Sequence, residues 1–309
     1  MMALMQTSLS LGPPAPFDFP GTAYSHGWVV LAPNEWDAGR KAVRRVERLR
    51  SGKVILLDIR GAGTVGRPRM EVTVTHRSRL GQRDCREIEA LLRRMFRLDE
   101  DLSGFYRECH ARGGDWLPVT AGLGRLLRSP HLFEDVVKVI CTTNIQWGGT
   151  KRMVENLVAG FGAAFPGNPV QHAFPTPQAI AAAGPDEFAD IVRMGYRASY
   201  VYELAEQITA GEVDLENLRT ETIPTPELKK KLLAIKGVGN YAAATLLMIL
   251  GRYDELAIDT VFRQFVSEKY FGGEKIPDAE GIALYADWGK WQYLAYWFDL
   301  WVGVDPDEL

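Results

Sequence analysis

The stretch LLAIKGVGNYAAATLLMILGRYDELAID, residues 232–259, predicts two helices joined by a tight hairpin. Apolar residues at helical spacing flank Gly237-Val238-Gly239, and a single acid, Asp259, follows a second turn. Glycine at both ends of so short a connection permits positive φ and a close approach of backbone N–H groups to a ligand. Beside a helix N-terminus, such N–H groups are suited to bind one phosphate. A bare Gly-x-Gly is also typical of an ordinary helix C-cap, so the hairpin alone leaves both interpretations open.

The composition indicates one large domain or two smaller ones. The 309 residues are 46% hydrophobic, enough to bury a large core. Cys85, Cys109 and Cys141 form no Cys-x-x-Cys pair, so we expect no disulfide framework, no metal site and no iron–sulfur cluster. Residues 1–16 lack the basic region of a signal peptide, and no run is long enough to span a membrane. We therefore expect a cytoplasmic protein with a frayed N-terminus.

Charge is distributed unevenly along the chain. The net charge is −3, but residues 1–97 carry 17 Lys and Arg against 9 Asp and Glu, whereas the remainder carries 19 against 30. This asymmetry permits a basic face on part of the molecule. Lys229, Lys230, Lys231 and Lys236 also make the surroundings of the hairpin locally basic, as a phosphate-binding site requires.

The first quarter of the chain is predicted to form a small antiparallel sheet. Apolar or β-branched runs between turn residues predict strands at 28–31, 54–57 and 72–74, and Ser51-Gly52 predicts a hairpin turn. Residues 40–50 suit either a helix or a strand, and their short distance from that turn favours the strand.

Beyond residue 80 the apolar spacing becomes helical, and no further strand is expected. Helices are expected around the apolar residues of 88–95, 102–106, 123–127 and 133–161, and again from 177 onwards. The prediction is therefore an α+β, predominantly α protein, with an N-terminal antiparallel β domain over 1–84 and a helical domain over 85–309 that contains the hairpin at 236–240.

Two stretches interrupt the helical pattern with groups suited to nucleic acid. In CTTNIQW, residues 141–147, Asn144 and Gln146 follow an apolar helix, either as an ordinary cap or as groups presented to a base. Further along, a glycine places Tyr196 beside Arg197 at the start of a helix. A tyrosine there is more often a core residue, but Tyr with Arg at such a point can also enter a base stack and hold the partner strand.

Asp259 and the C-terminal aromatic residues also have two interpretations each. An Asp before an apolar helical run is a favoured N-cap, and a carboxylate held at a helix N-terminus can equally stabilise positive charge on a ligand. Seven Tyr and Trp residues lie between 285 and 301. Most of them must be core because each ring buries a large area, which leaves one or two to line a pocket for a flat ligand.

With the hairpin and the acid placed, the sequence resembles the helix-hairpin-helix (HhH-GPD) DNA glycosylase superfamily. The specific part of the resemblance is LLAIKGVGNY at 232–241 followed by LAIDTVF at 256–262, with 18 residues from Tyr241 to Asp259. It extends over roughly 200 residues.

Other segments are similar to two branches of that superfamily. VICTTN at 139–144, RMGYRASY at 193–200 and FRLDEDLSGFY at 96–106 resemble the 8-oxoguanine glycosylase branch. WGKWQYLAYWFDLW at 288–301 resembles the alkyl-purine (3-methyladenine) branch.

The resemblance implies a base-excision-repair enzyme that flips a damaged base out of duplex DNA and cleaves its N-glycosidic bond, with Asp259 as the catalytic carboxylate. The residues expected to bind DNA are Lys236, Gly237, Val238 and Gly239 at a phosphate, and Asn144, Tyr196 and Arg197 at the disrupted base stack. The aromatic candidates for the base pocket are Trp147, Tyr241, Trp288 and Trp291.

Three departures from the superfamily pattern matter. Tyr241 stands where bifunctional members carry the lysine that forms a Schiff base, and a phenol cannot supply that amine. No cysteine follows Cys141, so the iron–sulfur loop of endonuclease III relatives is absent. Gly149 stands where the 8-oxoguanine branch has an arginine that helps to read the opposite cytosine.

The sequence thus predicts a monofunctional glycosylase for an alkylated purine that leaves an abasic site. The alternatives are an oxidised-purine glycosylase, with or without lyase activity, and a non-catalytic DNA-binding protein. We expect a monomer that binds damaged double-stranded DNA, not a membrane, and is nucleoid-associated if bacterial. We expect no cofactor, although the resemblance allows a structural monovalent cation at the hairpin.

Overall fold

The N-terminal part of the chain forms an antiparallel sheet of five strands. In this computed structural model, which describes residues 3–301, Leu57 and Ile59 are buried while their neighbours are partly exposed, as in a half-buried strand. Ile59 lies opposite Val43 on one neighbouring strand and Val72 on the other. The strands are β1 (Met5–Leu11), β2 (Asn34–Asp37), β3 (Ala42–Arg48), β4 (Val54–Thr64) and β5 (Arg67–His76). Their order across the sheet is β1-β5-β4-β3-β2.

This sheet confirms the strands predicted at 54–57, 72–74 and within 40–50. The strand predicted at 28–31 is wrong. Trp28, Val29 and Leu31 are all buried, without the alternation of a strand, and the chain enters a short 3₁₀ turn through Gly27 at a φ of 84°. The expectation of a frayed N-terminus is also wrong, because MQTSLSL alternates and pairs along its whole length with β5.

Helices make up most of the chain after residue 80, so the predicted α+β, predominantly α class is confirmed. They are α1 (Phe19–Ala23), α2 (Gln82–Met95), α3 (Ser103–Arg112), α4 (Leu132–Thr142), α5 (Trp147–Phe161), α6 (Pro177–Ala181), α7 (Pro185–Val192), α8 (Arg197–Thr209), α9 (Leu215–Thr220), α10 (Thr225–Leu233), α11 (Asn240–Ile249), α12 (Thr260–Tyr270), α13 (Asp278–Ala283) and α14 (Gln292–Trp301). Within residues 3–301, none of these helices has the length and apolar character needed to cross a bilayer.

Two expectations for the helical part are wrong. Leu123, predicted to begin a helix, lies in a loop between Gly122 and Gly124, whose φ values of 100° and 106° are incompatible with a right-handed helix. A second, two-stranded sheet was not expected after residue 80. It consists of β6 (Ala164–Phe165), which is too short to give a periodic apolar signal, and β7 (Asn168–His172), which is too polar.

The contacts divide the chain into two compact units. The first comprises residues 1–100 and 121–217, and the second comprises residues 101–120 and 218–309. The boundary predicted at residue 84 follows the change from strands to helices, whereas the contacts group many of the helices with the sheet. The outer ends of the predicted domains, 1–2 and 302–309, lie outside the described residues.

A buried ion network joins α4 to the sheet within the first unit. Arg45 of β3, only 1% exposed, donates to the two carboxylate oxygens of Glu134 at 2.9 and 2.6 Å, and Lys138 donates to the same carboxylate at 2.7 Å. Burial alone would raise the pKa of Glu134, but the charges of Arg45 and Lys138 outweigh it and lower that pKa to about 2. The next residue, Asp135, accepts from the indole of Trp28 at 2.8 Å. Two successive acids of α4 are thus bonded to separate N-terminal elements.

We expect Glu134→Gln to lower the free energy of unfolding by about 3–5 kcal/mol, because it leaves Lys138 buried without the carboxylate it is bonded to and leaves Arg45 with Glu47 as its remaining ion-pair partner. The matched control is Glu89→Gln, which removes the exposed partner of Arg93 in α2 and is expected to cost less than about 1 kcal/mol. Urea unfolding followed by circular dichroism measures both. Equal losses for the two variants would show that the buried network does not stabilise the fold.

Candidate functional site

The hairpin between α10 and α11 is fixed by its apolar residues. Ile235 and Val238 are buried, and the N–H of Val238 donates to the carbonyl of Ile235 at 3.0 Å. Gly237 has a φ of 87°, a conformation that residues with a Cβ rarely adopt. The predicted helix, hairpin, helix order is present, with the tight turn at Gly237.

Gly239 is not required by the backbone. Its φ of −89° and ψ of −173° are extended, which differs from the expectation of positive φ at both glycines. A Cβ on Gly239 would meet no atom within 4 Å, so neighbouring side chains do not require a glycine either. As the N-cap of α11, Gly239 offers no side-chain acceptor to the first turn of that helix. The helix N-terminus is therefore open to an external anion.

The lysines around the hairpin differ in how much charge they leave available. Lys229 is paired with Glu255, and Lys231 is paired with Glu221 at 2.6 Å, so two of the four predicted cations have counter-charges. Lys236, in the hairpin itself, is exposed. The positive charge near the glycines is therefore smaller than the sequence indicated.

Asp259 is the N-cap of α12. Its Oδ1 accepts from the N–H of Phe262 at 2.8 Å, and its side chain is partly exposed. The hydrogen bond fixes one carboxylate oxygen and leaves the second for other contacts. Both sequence interpretations therefore hold for the same group, because a capping carboxylate at the positive end of a helix is also an oriented anion.

Two tyrosines of α14 lie near Asp259 and were not singled out from the sequence. The pKa of Tyr293 is raised first by burial, then by the charges of Tyr241, Tyr296 and Asp259. The pKa of Tyr296 is raised by burial, then by Asp259 and Tyr241. Tyr241 and Asp259 therefore share one electrostatic environment with two buried phenol rings. The only sequence signal was the spacing of 293 and 296, which places both on one side of a helix.

The far end of α12 is bonded to α14. Lys269 donates to Oδ1 of Asp299 at 2.6 Å, and the hydroxyls of Tyr270 and Tyr285 donate to Oδ2 at 2.5 and 2.7 Å. Asp299 is buried, and its carboxylate holds both oxygens in these bonds. We refer to these four residues as the Asp299 cluster.

Trp288 and Trp291, two of the predicted pocket residues, are buried among protein groups. The guanidinium carbon of Arg112 lies 4.0 Å from the ring centroid of Trp288, and Trp116 packs against the same indole at 4.4 Å between centroids. Trp291 stacks on Tyr253 at 6.0 Å. Protein groups therefore cover both indole rings, which leaves little ring surface for a base.

Asn144 and Tyr196 lie together on the surface of the first unit. Asn144 has a φ of 49°, and its amide donates to the hydroxyl of Tyr196 at 3.5 Å, which lowers the pKa of that tyrosine. The Tyr196 ring is 52% exposed. An exposed aromatic ring held by an amide is a suitable group to enter a base stack.

We expected Arg197 to contact the DNA strand opposite the lesion. Its side chain is instead buried in the protein. Its side chain is 6% exposed, and its guanidinium donates to the backbone carbonyls of Thr143, Asn144 and Met194. It also lies 4.5 Å from the ring centroid of Tyr196. A guanidinium in these bonds has almost no donor surface left for a phosphate, so Arg197 holds the Asn144 loop and the Tyr196 ring in place.

The loop after Asn144 explains the glycine at 149. A Cβ there would lie 2.5 Å from Cδ1 of Ile145, whose side chain covers the position. An arginine at 149 would therefore require Ile145 to move. Trp147, another predicted pocket residue, is exposed, and the Cβ position of Gly27 is 3.1 Å from its ring.

Within residues 3–301, no group of three or more His, Cys, Asp and Glu side chains is arranged to hold a metal ion.

We expect Gly239→Ala to weaken binding to duplex DNA without loss of stability, because the new methyl group would point into the space that a phosphate would occupy. Gly237→Ala is the matched control and is expected to lower the free energy of unfolding by about 1–2 kcal/mol, because it forces a Cβ into a positive-φ backbone. Fluorescence anisotropy on a labelled duplex and urea unfolding separate the two effects. Unchanged DNA affinity in Gly239→Ala would contradict the phosphate contact.

Known structures with similar folds include DNA glycosylases of two kinds. The 3-methyladenine DNA-glycosylase from Archaeoglobus fulgidus aligns with a TM-score of 0.74 and 21% identity over 96% of this chain and 99% of its own. The Clostridium acetobutylicum 8-oxoguanine glycosylase/lyase, in complex with DNA containing cytosine opposite 8-oxoG, aligns with a TM-score of 0.71 and 16% identity over 97% and 96%. MBOgg1 in complex with a low affinity DNA ligand aligns with a TM-score of 0.70 and 20% identity over 98% of both chains. At these identities the similarity concerns the fold.

A search of curated protein sequences finds no match. A family model described as HhH-GPD superfamily base excision DNA repair protein matches residues 137–287, a range that includes Asn144, Tyr196, the hairpin and Asp259. This match confirms the resemblance found in the sequence. Residues 137–287 therefore match the HhH-GPD superfamily of base excision DNA repair proteins, the superfamily that the hairpin and Asp259 predict.

Proposed function

We propose that this protein, a DNA N-glycosylase of base excision repair, is monofunctional and removes an alkylated purine, leaving an abasic site. One observation carries the proposal. Asp259 is the N-cap of α12, which orients its carboxylate, and a tyrosine, Tyr241, lies in the first turn of α11. The sequence has an acid at one position of the motif and no amine at the other.

Asp259 is proposed as the catalytic carboxylate. Cleavage of an N-glycosidic bond develops positive charge on the sugar, and a fixed carboxylate near the anomeric carbon stabilises that charge. The same group can orient or deprotonate the attacking water. The hydrogen bond from Phe262 restricts the carboxylate rotamer, which reduces the reorganisation needed during reaction.

Tyr241 supports hydrolysis over strand cleavage. A lyase step requires an amine that attacks the sugar and forms a Schiff base, and a phenol cannot form one. Without that step, water is the remaining nucleophile, and the product is an intact strand with an abasic site.

The environment of Asp259 supports an alkylated purine as substrate. Alkylation at a purine ring nitrogen gives the base a positive charge, and an electron-rich ring such as that of Tyr241, which is partly exposed, attracts such a cation. Tyr293 and Tyr296 respond electrostatically to both Tyr241 and Asp259, so a cationic base bound at Tyr241 would also meet a negative carboxylate. The C-terminal sequence WGKWQYLAYWFDLW, similar to the alkyl-purine branch, agrees with this assignment.

An oxidised purine is the second candidate substrate. The Asn144 and Tyr196 segments resemble the 8-oxoguanine branch, and they form one hydrogen-bonded unit. This candidate predicts release of 8-oxoguanine from a duplex, whereas a non-catalytic DNA-binding protein predicts no base release from any lesion.

Base release requires the nucleotide to leave the helix, at a cost of a few kcal/mol. We assign Gly237, Val238 and Gly239 to backbone contacts with a phosphate, and Asn144 with Tyr196 to the gap in the base stack.

A monovalent cation at the hairpin, a monomeric state and a cytoplasmic location remain predictions.

We expect Asp259→Asn to retain duplex affinity and to slow base release by about 10²–10⁴-fold, the usual contribution of a positioned acid–base group. The substrates are duplexes with single 3-methyladenine, 7-methylguanine or 8-oxoguanine lesions, assayed for free base with and without alkaline strand cleavage. Glu268→Gln, which removes an exposed carboxylate from the same helix, is the control and should remain within a few fold of wild type. Base release by Asp259→Asn at a rate close to wild type would exclude Asp259 from the reaction.

We further expect no borohydride-trapped complex between the wild-type protein and abasic DNA, and trapping by Tyr241→Lys, which restores an amine at that position. Asn240→Lys, one residue earlier on α11, is the matched control and is expected not to trap. Efficient trapping by the wild-type protein would show that another amine performs a lyase step.

A further inference from the structure

A second carboxylate, Asp278, is bonded to an arginine that lies one helical turn beyond Asp259. Arg263 of α12 follows Asp259 by four residues, and its N–H donates to the carbonyl of Asp259 at 3.2 Å. Side chains four residues apart on a helix are neighbours and can form an ion pair. Arg263 is instead bonded to Asp278, the first residue of α13, with Nε 2.8 Å from Oδ1 and Nη2 2.9 Å from Oδ2.

We propose that Asp278 is a positioning residue that holds Arg263 away from Asp259 and so keeps the catalytic carboxylate free of a counter-charge. This inference rests on the proposed role of Asp259. A guanidinium beside that carboxylate would cancel part of the negative potential that stabilises the developing sugar cation.

The bond between Arg263 and Asp278 is well suited to this task. It is bidentate, so it fixes the orientation of the guanidinium as well as its distance. The pKa of Arg263 is raised chiefly by Asp278, and in smaller part by the charge of Asp259, so the arginine is already within electrostatic range of the catalytic acid.

The arginine also has room to turn. Both side chains are about half exposed, and they line a cavity of about 320 Å³ that extends to Lys275 and Pro277. Loss of the Asp278 carboxylate would therefore release a mobile cation whose nearest alternative partner along the helix is Asp259. Tyr241, Tyr293 and Tyr296, which share the electrostatic environment of Asp259, carry no positive charge.

The test is single-turnover base release on the lesion that the wild-type protein excises best, with four variants. Asp278→Asn is expected to slow release by about 5- to 50-fold, because a cation moves next to the carboxylate. Asp278→Glu should recover most of the rate, since it restores an acceptor. Arg263→Gln, and the double variant Arg263→Gln with Asp278→Asn, should both remain within about threefold of wild type, because neither has a cation to relocate.

A measurement that does not depend on activity completes the test. The carboxyl carbon of Asp259, observed by ¹³C NMR in the free protein and assigned with Asp259→Asn, should titrate at lower pH in Asp278→Asn than in wild type. This shift should disappear in the double variant. Thermal unfolding of Asp278→Asn and the double variant controls for simple loss of stability, because both lack the ion pair.

The inference is overturned if Asp278→Asn keeps the wild-type rate, if the double variant is as slow as Asp278→Asn, or if the Asp259 titration is the same in all three proteins. The proposed function fails separately, if wild type and Asp259→Asn release base equally or if no lesion is excised at all. In that last case the NMR titration still decides whether Asp278 controls the Arg263 position.

Discussion

The first unit depends on a guanidinium that has no access to water. Arg45 meets Glu134 of α4 with both carboxylate oxygens bonded, and Lys138 shares the same acid. Charges buried in this way require complete pairing, which fixes α4 against β3 with little freedom to shift. Because α4 ends at Thr142, that placement also determines where Asn144 and its partner Tyr196 stand. A residue of the sheet thus determines the position of a group assigned to DNA.

In the second unit, helix α12 carries the residues assigned to the reaction. The N-cap of α12 is the proposed catalytic acid, and the next turn carries the arginine held by Asp278. Capping, which stabilises the helix, also orients the carboxylate, so the bond that stabilises the fold would also position the acid for the proposed chemistry. The two sequence interpretations of Asp259, as a helix N-cap and as a carboxylate that stabilises positive charge, are therefore compatible.

The parts of the site that a local pattern encodes were predictable. The hairpin and Asp259 follow from glycine placement, apolar spacing and separation along the chain, and strands β4 and β5 follow from apolar or β-branched runs between turn residues. Arg197 was assigned to DNA because its sequence neighbour is an aromatic residue, but its burial under three carbonyls depends on tertiary packing. Composition also could not show that Tyr293 and Tyr296, which are as buried as Trp288 and Trp291, lie near Asp259. Strand β7 was missed because five mostly polar residues carry no period.

The Asp299 cluster joins α12 to α14 by hydrogen bonds. Lys269 and Tyr270 belong to α12, Asp299 belongs to α14, and Tyr293 and Tyr296 of α14 lie near the opposite end of α12. The acid that would act on the sugar and the buried phenol rings near it therefore lie on two helices that are bonded to each other through Asp299. We therefore expect α12 and α14 to move together when DNA binds, so that the distance between the acid and the rings is kept.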